Sequence, residues 1–299
     1  MFATLKCNGL NVCPPMKQSA PHIRPAAQAG RFYDAHPARL RQSIEDALAR
    51  PVPPLDPLPR PPAMILAPHA GYVFSGAVAA AAYRHLRGLA YDGVVVLGPS
   101  HYEDFSGAGL PSYHGFATPL GDVPIDRPAI DDLSGIPDFA FNDAAHDPEH
   151  SIEVELPFLQ VVLAGPFRLA PILFGRADLP ALERIAAALH DLLARRRAAG
   201  ERWLLVVSSD TYHGYDREAC RANDQALTRF VSRMDGRAGY EALAGRRLMA
   251  CGWRPLVAAM LLLEREGGRT CRVTARSDSS EASGRDEGYV VGYVSAIAG

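Results

Sequence analysis

Beyond residue 62 the chain alternates short, unbroken apolar runs with amphipathic stretches. The runs at 63–67, 93–97, 167–174 and 203–207 have strand length. They lack the polar/apolar alternation of a half-exposed strand, so they predict strands buried on both faces. Residues 75–86, 148–163, 180–197, a segment from Arg221 and 255–266 read as the helices between them. Ahead of this pattern, Leu40, Ile44 and Leu48 repeat every four residues and predict an amphipathic helix over 37–50. The proline-rich stretch 51–62 fits neither helix nor central strand and reads as an extended connector. It is not a domain boundary, because the roughly fifty residues before it are too few for a core of their own. Residues 271–276 and 288–296 predict two last strands, close enough in sequence for an antiparallel pair. No internal repeat is visible. The expected fold is a single α/β domain with a mostly parallel central sheet and helices on both faces.

Composition narrows the class more than it adds to it. A net charge of −2 over 299 residues gives no electrostatic case for nucleic acid or an anionic membrane. No apolar run is long enough to span a bilayer. The five cysteines are odd in number and scattered without a CxxC pair, which argues against a disulfide framework or zinc ribbon and for a reducing, cytoplasmic setting. Residues 1–22 lack the apolar centre of a signal peptide and are expected to be a disordered extension, or the product of a start codon placed before Met16. The domain is then 23–299.

Three apolar runs end in the same way. His69 follows the first, His101 the second, and Asp210 with His213 the fourth. Ligands of open α/β sheets bind just beyond the carboxyl ends of the strands. One histidine there is most simply a loop residue bonded to backbone; three repeats point to a shared site. Imidazole serves zinc, iron and copper alike, so the pattern argues for a metal without choosing one. His146 to His150 formally matches the H-x-x-E-H peptidase signature, but Asp147-Pro148 reads as a helix start that breaks the required face. In the helix expected after it, Glu149, His150 and Glu153 can share a face. They are either a solvated first turn or, for His150 and Glu153, supports for metal ligands. Cys251 precedes a helix near Pro255, where a thiolate is favoured, although a small buried hydrophobe is the plainer explanation. Cys220 and Cys271 read as core; Cys7 and Cys13 fall in the extension. There is no P-loop, GxSxG elbow or GxGxxG turn. Ser208, Ser209, Asp210 and His213 crowd one loop in a way unlike a nucleophilic triad.

Several ordered motifs resemble one family. Ala67-Pro-His-Ala-Gly-Tyr72, Leu97-Gly-Pro-Ser-His101, Glu149-His-Ser-Ile-Glu-Val-Glu-Leu-Pro-Phe-Leu159, Val207-Ser-Ser-Asp210 with His213, and Cys251-Gly252 resemble the Memo family, whose bacterial members are called AmmeMemoRadiSam system protein B. Ala29 to Asp34 looks like its opening motif and the final Gly-Tyr-Val-Val-Gly-Tyr-Val like its last strand. That family is similar to the LigB-type class III extradiol dioxygenases, which hold Fe(II) on two histidines and a carboxylate. The resemblance implies His69 and His101 as paired metal ligands and Cys251 as the third, where the dioxygenases use Glu. It implies His213 as general acid/base, with Asp210 orienting it or joining the metal. Ser100, Tyr72, His150 and Glu153 become supporting or substrate-facing candidates. A thiolate makes the site softer, so Cu or Zn is admitted beside Fe(II). Thr211-Tyr212 stands where relatives often place an apolar residue, which alters the local wall. The expected function is an iron-dependent, oxidoreductase-like protein acting on a small molecule or O₂. The alternative is a non-enzymatic metal-binding accessory working with an AMMECR-type protein and a radical SAM enzyme; a zinc hydrolase is a third reading.

Overall fold

The computed structural model describes residues 22–284 and 288–299. Of the expected extension only His22 falls among them; the rest of that segment, with Cys7 and Cys13, lies outside the described residues.

Chain order begins with strand β1 (Ile23–Arg24) and helix α1 (Pro37–Ala49), which buries Leu40, Ile44 and Leu48 as their spacing requires. Strand β2 (Met64–Ala67), helix α2 (Tyr72–Tyr83) and strand β3 (Gly93–Pro99) follow. Short strands β4 (Ala108–Leu110), β5 (Gly115–Phe116), β6 (Val123–Pro124) and β7 (Phe139–Phe141) then alternate with helices α3 (Arg127–Ser134) and α4 (Asp143–His146). The second half holds α5 (Leu156–Val162), β8 (Arg168–Phe174), α6 (Leu179–Ala198) and β9 (Trp203–Ser208). It closes with β10 (His213–Gly214), α7 (Arg217–Arg233), α8 (Gly236–Ala244), α9 (Trp253–Arg265), β11 (Cys271–Asp278), α10 (Ser279–Ser283) and β12 (Val290–Ala298).

The main sheet runs β10-β12-β2-β9-β3-β8-β4-β7, with β11 beside β12. Its centre is parallel: β2, β9, β3 and β8 lie in that order, each parallel to the next. Every residue of β2, β3 and β9 is buried, which is why these strands read as unbroken apolar runs. Helices α6 and α9 cover β3 and β9; α2, backed by α1 and α5, covers β2 and β12. The margins turn antiparallel, at β12 against β2 and β4 against β8, and β11 pairs with β12 as expected. A second sheet of β1, β5 and β6 sits apart. One hydrophobic core joins all of this. Among the described residues no helix is long and apolar enough to cross a membrane.

One expected helix is corrected. Residues 148–163 do not form a single helix: 147–150 are bends and irregular backbone, 151–152 a turn, Glu153–Glu155 a 3₁₀ turn, and α5 starts only at Leu156. A helix from 148 would place Pro157 in its interior, where the ring meets the carbonyl four residues back; starting at Leu156 puts that proline in the first turn. Asp147 is therefore the last cap of α4 rather than the first of a new helix. The segment expected from Arg221 begins at Arg217 instead, because the Asp216 carboxylate accepts the Glu218 and Ala219 N–H groups.

Candidate metal centre

Because β2, β9 and β3 are neighbours, the residues just past their carboxyl ends meet. His69 is buried; His101 is at the surface with its ring partly covered. Their rings lie edge to face, 5.2 Å between centroids. Cys251 comes from a different direction, at the entry to α9. Gly252 makes that approach possible: a side-chain carbon there would stand 2.5 Å from the Ser208 carbonyl oxygen and 2.7 Å from Ser209 Cβ. Two hydrogen bonds join Cys251 and Asp210. Cys251 N–H donates to the Asp210 carbonyl (3.1 Å), and Asp210 N–H donates to Cys251 Sγ (3.2 Å). His69 Nε2 lies 3.1 Å from that sulfur. One ligand atom from each of His69, His101 and Cys251 falls within 4.8 Å of the others, so the group could hold a metal ion.

Each histidine is set by a different partner. His101 Nδ1 donates to Glu149 Oε1 at 2.9 Å, and its N–H donates to Oε2 at 2.6 Å. The His150 and Ser151 N–H groups, each at 2.9 Å, complete the shell of that carboxylate. Burial opposes its ionisation, but the His101 bond and the neighbouring imidazoles prevail and hold Glu149 down at about 2. The fixed Nδ1–H leaves His101 Nε2 as the free lone pair. His69 Nδ1 lies 2.7 Å from Ser208 Oγ, and its backbone N–H donates to Asp210 Oδ1 at 2.8 Å. Burial, and then the adjacent imidazoles, keep His69 far below the usual histidine range, so it is neutral and able to coordinate.

The other expected site residues fall at varied distances from this group. Asp210 is buried beside it, pushed up to about 7 by desolvation despite the two backbone N–H groups it accepts. His213 stands on β10; its Nδ1 donates to the Thr211 carbonyl at 3.2 Å, its Nε2 has no hydrogen-bond partner among the described residues, and burial lowers its pKa. His150 stacks between His101 and Phe32, 4.5 Å from each; its buried Nδ1 lies 3.2 Å from Glu149 Oε1, off the line of a hydrogen bond, and has no other partner among the described residues. Glu153 does not reach the group. Its carboxylate accepts from Arg24, Tyr33 and the N–H groups of Ala27 and Gln28, while Arg24 also donates to the carbonyls of His146, Asp147 and Glu149. Glu153 thus fixes the loop that carries Glu149. Ser100 Oγ donates to the Glu103 carbonyl, and the Tyr72 hydroxyl to the Val154 carbonyl. His146 is turned away, 3.1 Å from the Gly109 carbonyl, and shares no metal site with His150.

Glu149, Ser208 and Glu155 were not among the expected site residues. Glu149 sits next to His150 in the motif, and its place there is the one sequence signal available. Ser151 ties them together: its Oγ donates to the Pro99 carbonyl at the end of β3, and its own carbonyl accepts from Ser208 at the end of β9.

The chain is similar to known proteins along most of its length. The family model for Memo-like proteins matches residues 24–297. A MEMO1 family protein of Aeropyrum pernix is 35% identical over 286 residues, covering 91% of this chain and 98% of that one. One from Sulfolobus acidocaldarius is 32% identical, with the same shares of each chain. One from Methanosarcina acetivorans is 32% identical over 92% of this chain and 98% of its own.

Proposed function

Because the chain belongs to the Memo-like protein family, we propose that it is an iron-dependent, oxidoreductase-like protein whose metal is held by His69, His101 and Cys251. The observation that carries this reading is the convergence of two imidazole nitrogens and one sulfur at a single point. Two borderline nitrogens and a soft sulfur fit Fe(II), and also Cu or Zn. Burial pushes the Cys251 thiol up, so a metal would displace its proton, and the N–H of Asp210 is already aimed at the resulting thiolate. Bound iron would supply redox chemistry at coordination positions the three side chains leave open. His213, with its Nδ1–H committed to Thr211, offers Nε2 to take or return a proton. Asp210 buttresses the backbone of His69 and Ala70, whose N–H groups donate to its carboxyl. Tyr102, half exposed and edge-on to the His150 ring at 6.0 Å, would border the space a small-molecule substrate, or O₂ beside one, would occupy. A reducing cytoplasm would keep Cys251 available.

The sulfur itself favours a second reading. A thiolate in place of a carboxylate suits metal retention as well as turnover, so the chain would serve as an accessory to an AMMECR-type protein and a radical SAM enzyme. Metal analysis of anaerobically purified protein tests both. Wild type should carry iron that a His69→Ala/His101→Ala variant lacks; equal trace metal in the two would end the site assignment. Oxygen uptake by the iron-loaded protein with a panel of catechols then separates enzyme from accessory.

A further inference from the structure

Behind the metal group, Ser208 Oγ has three close neighbours: His69 Nδ1 at 2.7 Å, the Ser151 carbonyl oxygen at 2.5 Å and Glu155 Oε1 at 3.0 Å. A hydroxyl has one proton to give. The Ser151 carbonyl can only accept, and two oxygens 2.5 Å apart need a proton between them, so the serine proton is there. The remaining two neighbours must then donate to Ser208. His69 does so as its Nδ1–H tautomer. Glu155 does so only as a carboxylic acid. Its other oxygen, Oε2, accepts from the Tyr83 hydroxyl at 2.6 Å, so neither oxygen is left unmatched.

We infer that Glu155 is a positioning residue that acts in its neutral, protonated form: it donates to Ser208, which locks His69 with Nδ1–H inward and Nε2 turned to Cys251 and His101. The surroundings agree. Glu155 is fully buried, faces Tyr72 and Tyr83 from α2 and Ser208 and Asp210 from the end of β9, and meets no cation there among the described residues. Burial, reinforced by the nearby Asp210 carboxyl, pushes it up to about 8. The two histidines are therefore held by opposite means, His101 by an ionised carboxylate and His69 by a hydroxyl backed by a neutral acid. The role of Glu155 for His69 rests on the proposed metal site; its protonation does not.

The first test uses the metal-free full-length protein with carbon-13 at its glutamate carboxyls. A protonated glutamate band is expected in the infrared at about pH 6, fading as the pH passes about 8, and absent from Glu155→Gln. Only carboxylate bands at about pH 6, or a band that survives in Glu155→Gln, would overturn the inference; should that variant not fold, the pH course of the wild-type band decides alone. The sign for stability follows. A raised acid stabilises the fold below its ordinary pKa and loses that contribution as the pH climbs towards 8, so wild type should lose thermal stability over that range and Glu155→Gln should lose less. Cobalt(II) titration reads the positioning. Glutamine can donate to Ser208 and accept from Tyr83, so Glu155→Gln should bind within about twofold of wild type, while Ser208→Ala should weaken binding by about tenfold or more. Equal losses in both variants would overturn the role of the neutral acid. Failure of wild type to bind cobalt would remove the metal reading and leave the infrared result to judge Glu155 by itself.

Discussion

Replacing Glu149 with Gln perturbs the carboxylate that orients His101 and changes almost no volume. In the folded chain this group collects both N–H groups of His101 and the backbone N–H groups of His150 and Ser151. A carboxyl held at about 2, against an ordinary 4.5, stabilises the folded state by about 3 kcal/mol at neutral pH. Glutamine forfeits that charge and turns an NH₂ group towards some of the same N–H donors, so a loss of at least about 3 kcal/mol is expected. Because the folded pKa is depressed, the contribution is complete above about pH 4.5 and drains away as the pH falls towards 2. Urea unfolding of the metal-free wild type and Glu149→Gln, repeated from neutral pH downwards, should therefore show a gap that narrows on acidification. Affinity for metal should fall by about tenfold to a hundredfold as His101 loses its orientation. A gap below about 1 kcal/mol at neutral pH, or one that stays constant with acid, would refute the assignment of an ionised, fully engaged Glu149.

Two other substitutions probe how the site is held. Gly252→Ala places a methyl against the Ser208 carbonyl and Ser209 Cβ, both rigid, so a cost of about 1–3 kcal/mol in thermal unfolding and a lower metal content are expected. Arg24→Ala leaves Glu153 buried without its cation and should cost about 3–5 kcal/mol in urea unfolding, whereas Met at position 24 paired with Gln at 153 should recover part of it.

The centre of the fold was visible in the sequence because strands buried on both faces carry no polar alternation to confuse them; β2, β3 and β9 are such strands. Strands of two or three residues, such as β5, β6 and β10, are too short for any periodicity to register. The run from Glu149 to Glu155 misled for a different reason. Three acids in seven residues after Asp147-Pro148 look like a solvated helix start, yet all three are buried. Each answers to a partner far along the chain: Glu149 to His101, Glu153 to Arg24 and Tyr33, Glu155 to Tyr83 and Ser208. Separations of 48, 129 and 72 residues between Glu149 and His101, Arg24 and Glu153, and Tyr83 and Glu155 leave no local trace. Only the apolar neighbours Val154 and Leu156 hinted that Glu155 faces inward.

The charges of those three acids bear on which ion the site would hold. Glu153 is matched by Arg24 and contributes no net charge to the surroundings of His69 and His101. A divalent cation on His69, His101 and the Cys251 thiolate would meet one negative charge directly and a second through the Glu149–His101 bond, which sums to zero while the neighbouring Asp210 keeps its proton. Ionised Glu155 would add a third, buried behind Ser208 with no cation beside it, at a cost of several kcal/mol. A neutral Glu155 removes that cost and matches a dication. A monovalent ion such as Cu(I) would leave the same pocket with one uncompensated negative charge, and Fe(II) or Zn(II) would not. Proton release on metal binding exposes the difference. At about pH 7 a dication should release the thiol proton and whatever proton Asp210 gives up, in the same amount from wild type and from Glu155→Gln. A larger release in wild type alone would mean that Glu155 ionises when the metal enters.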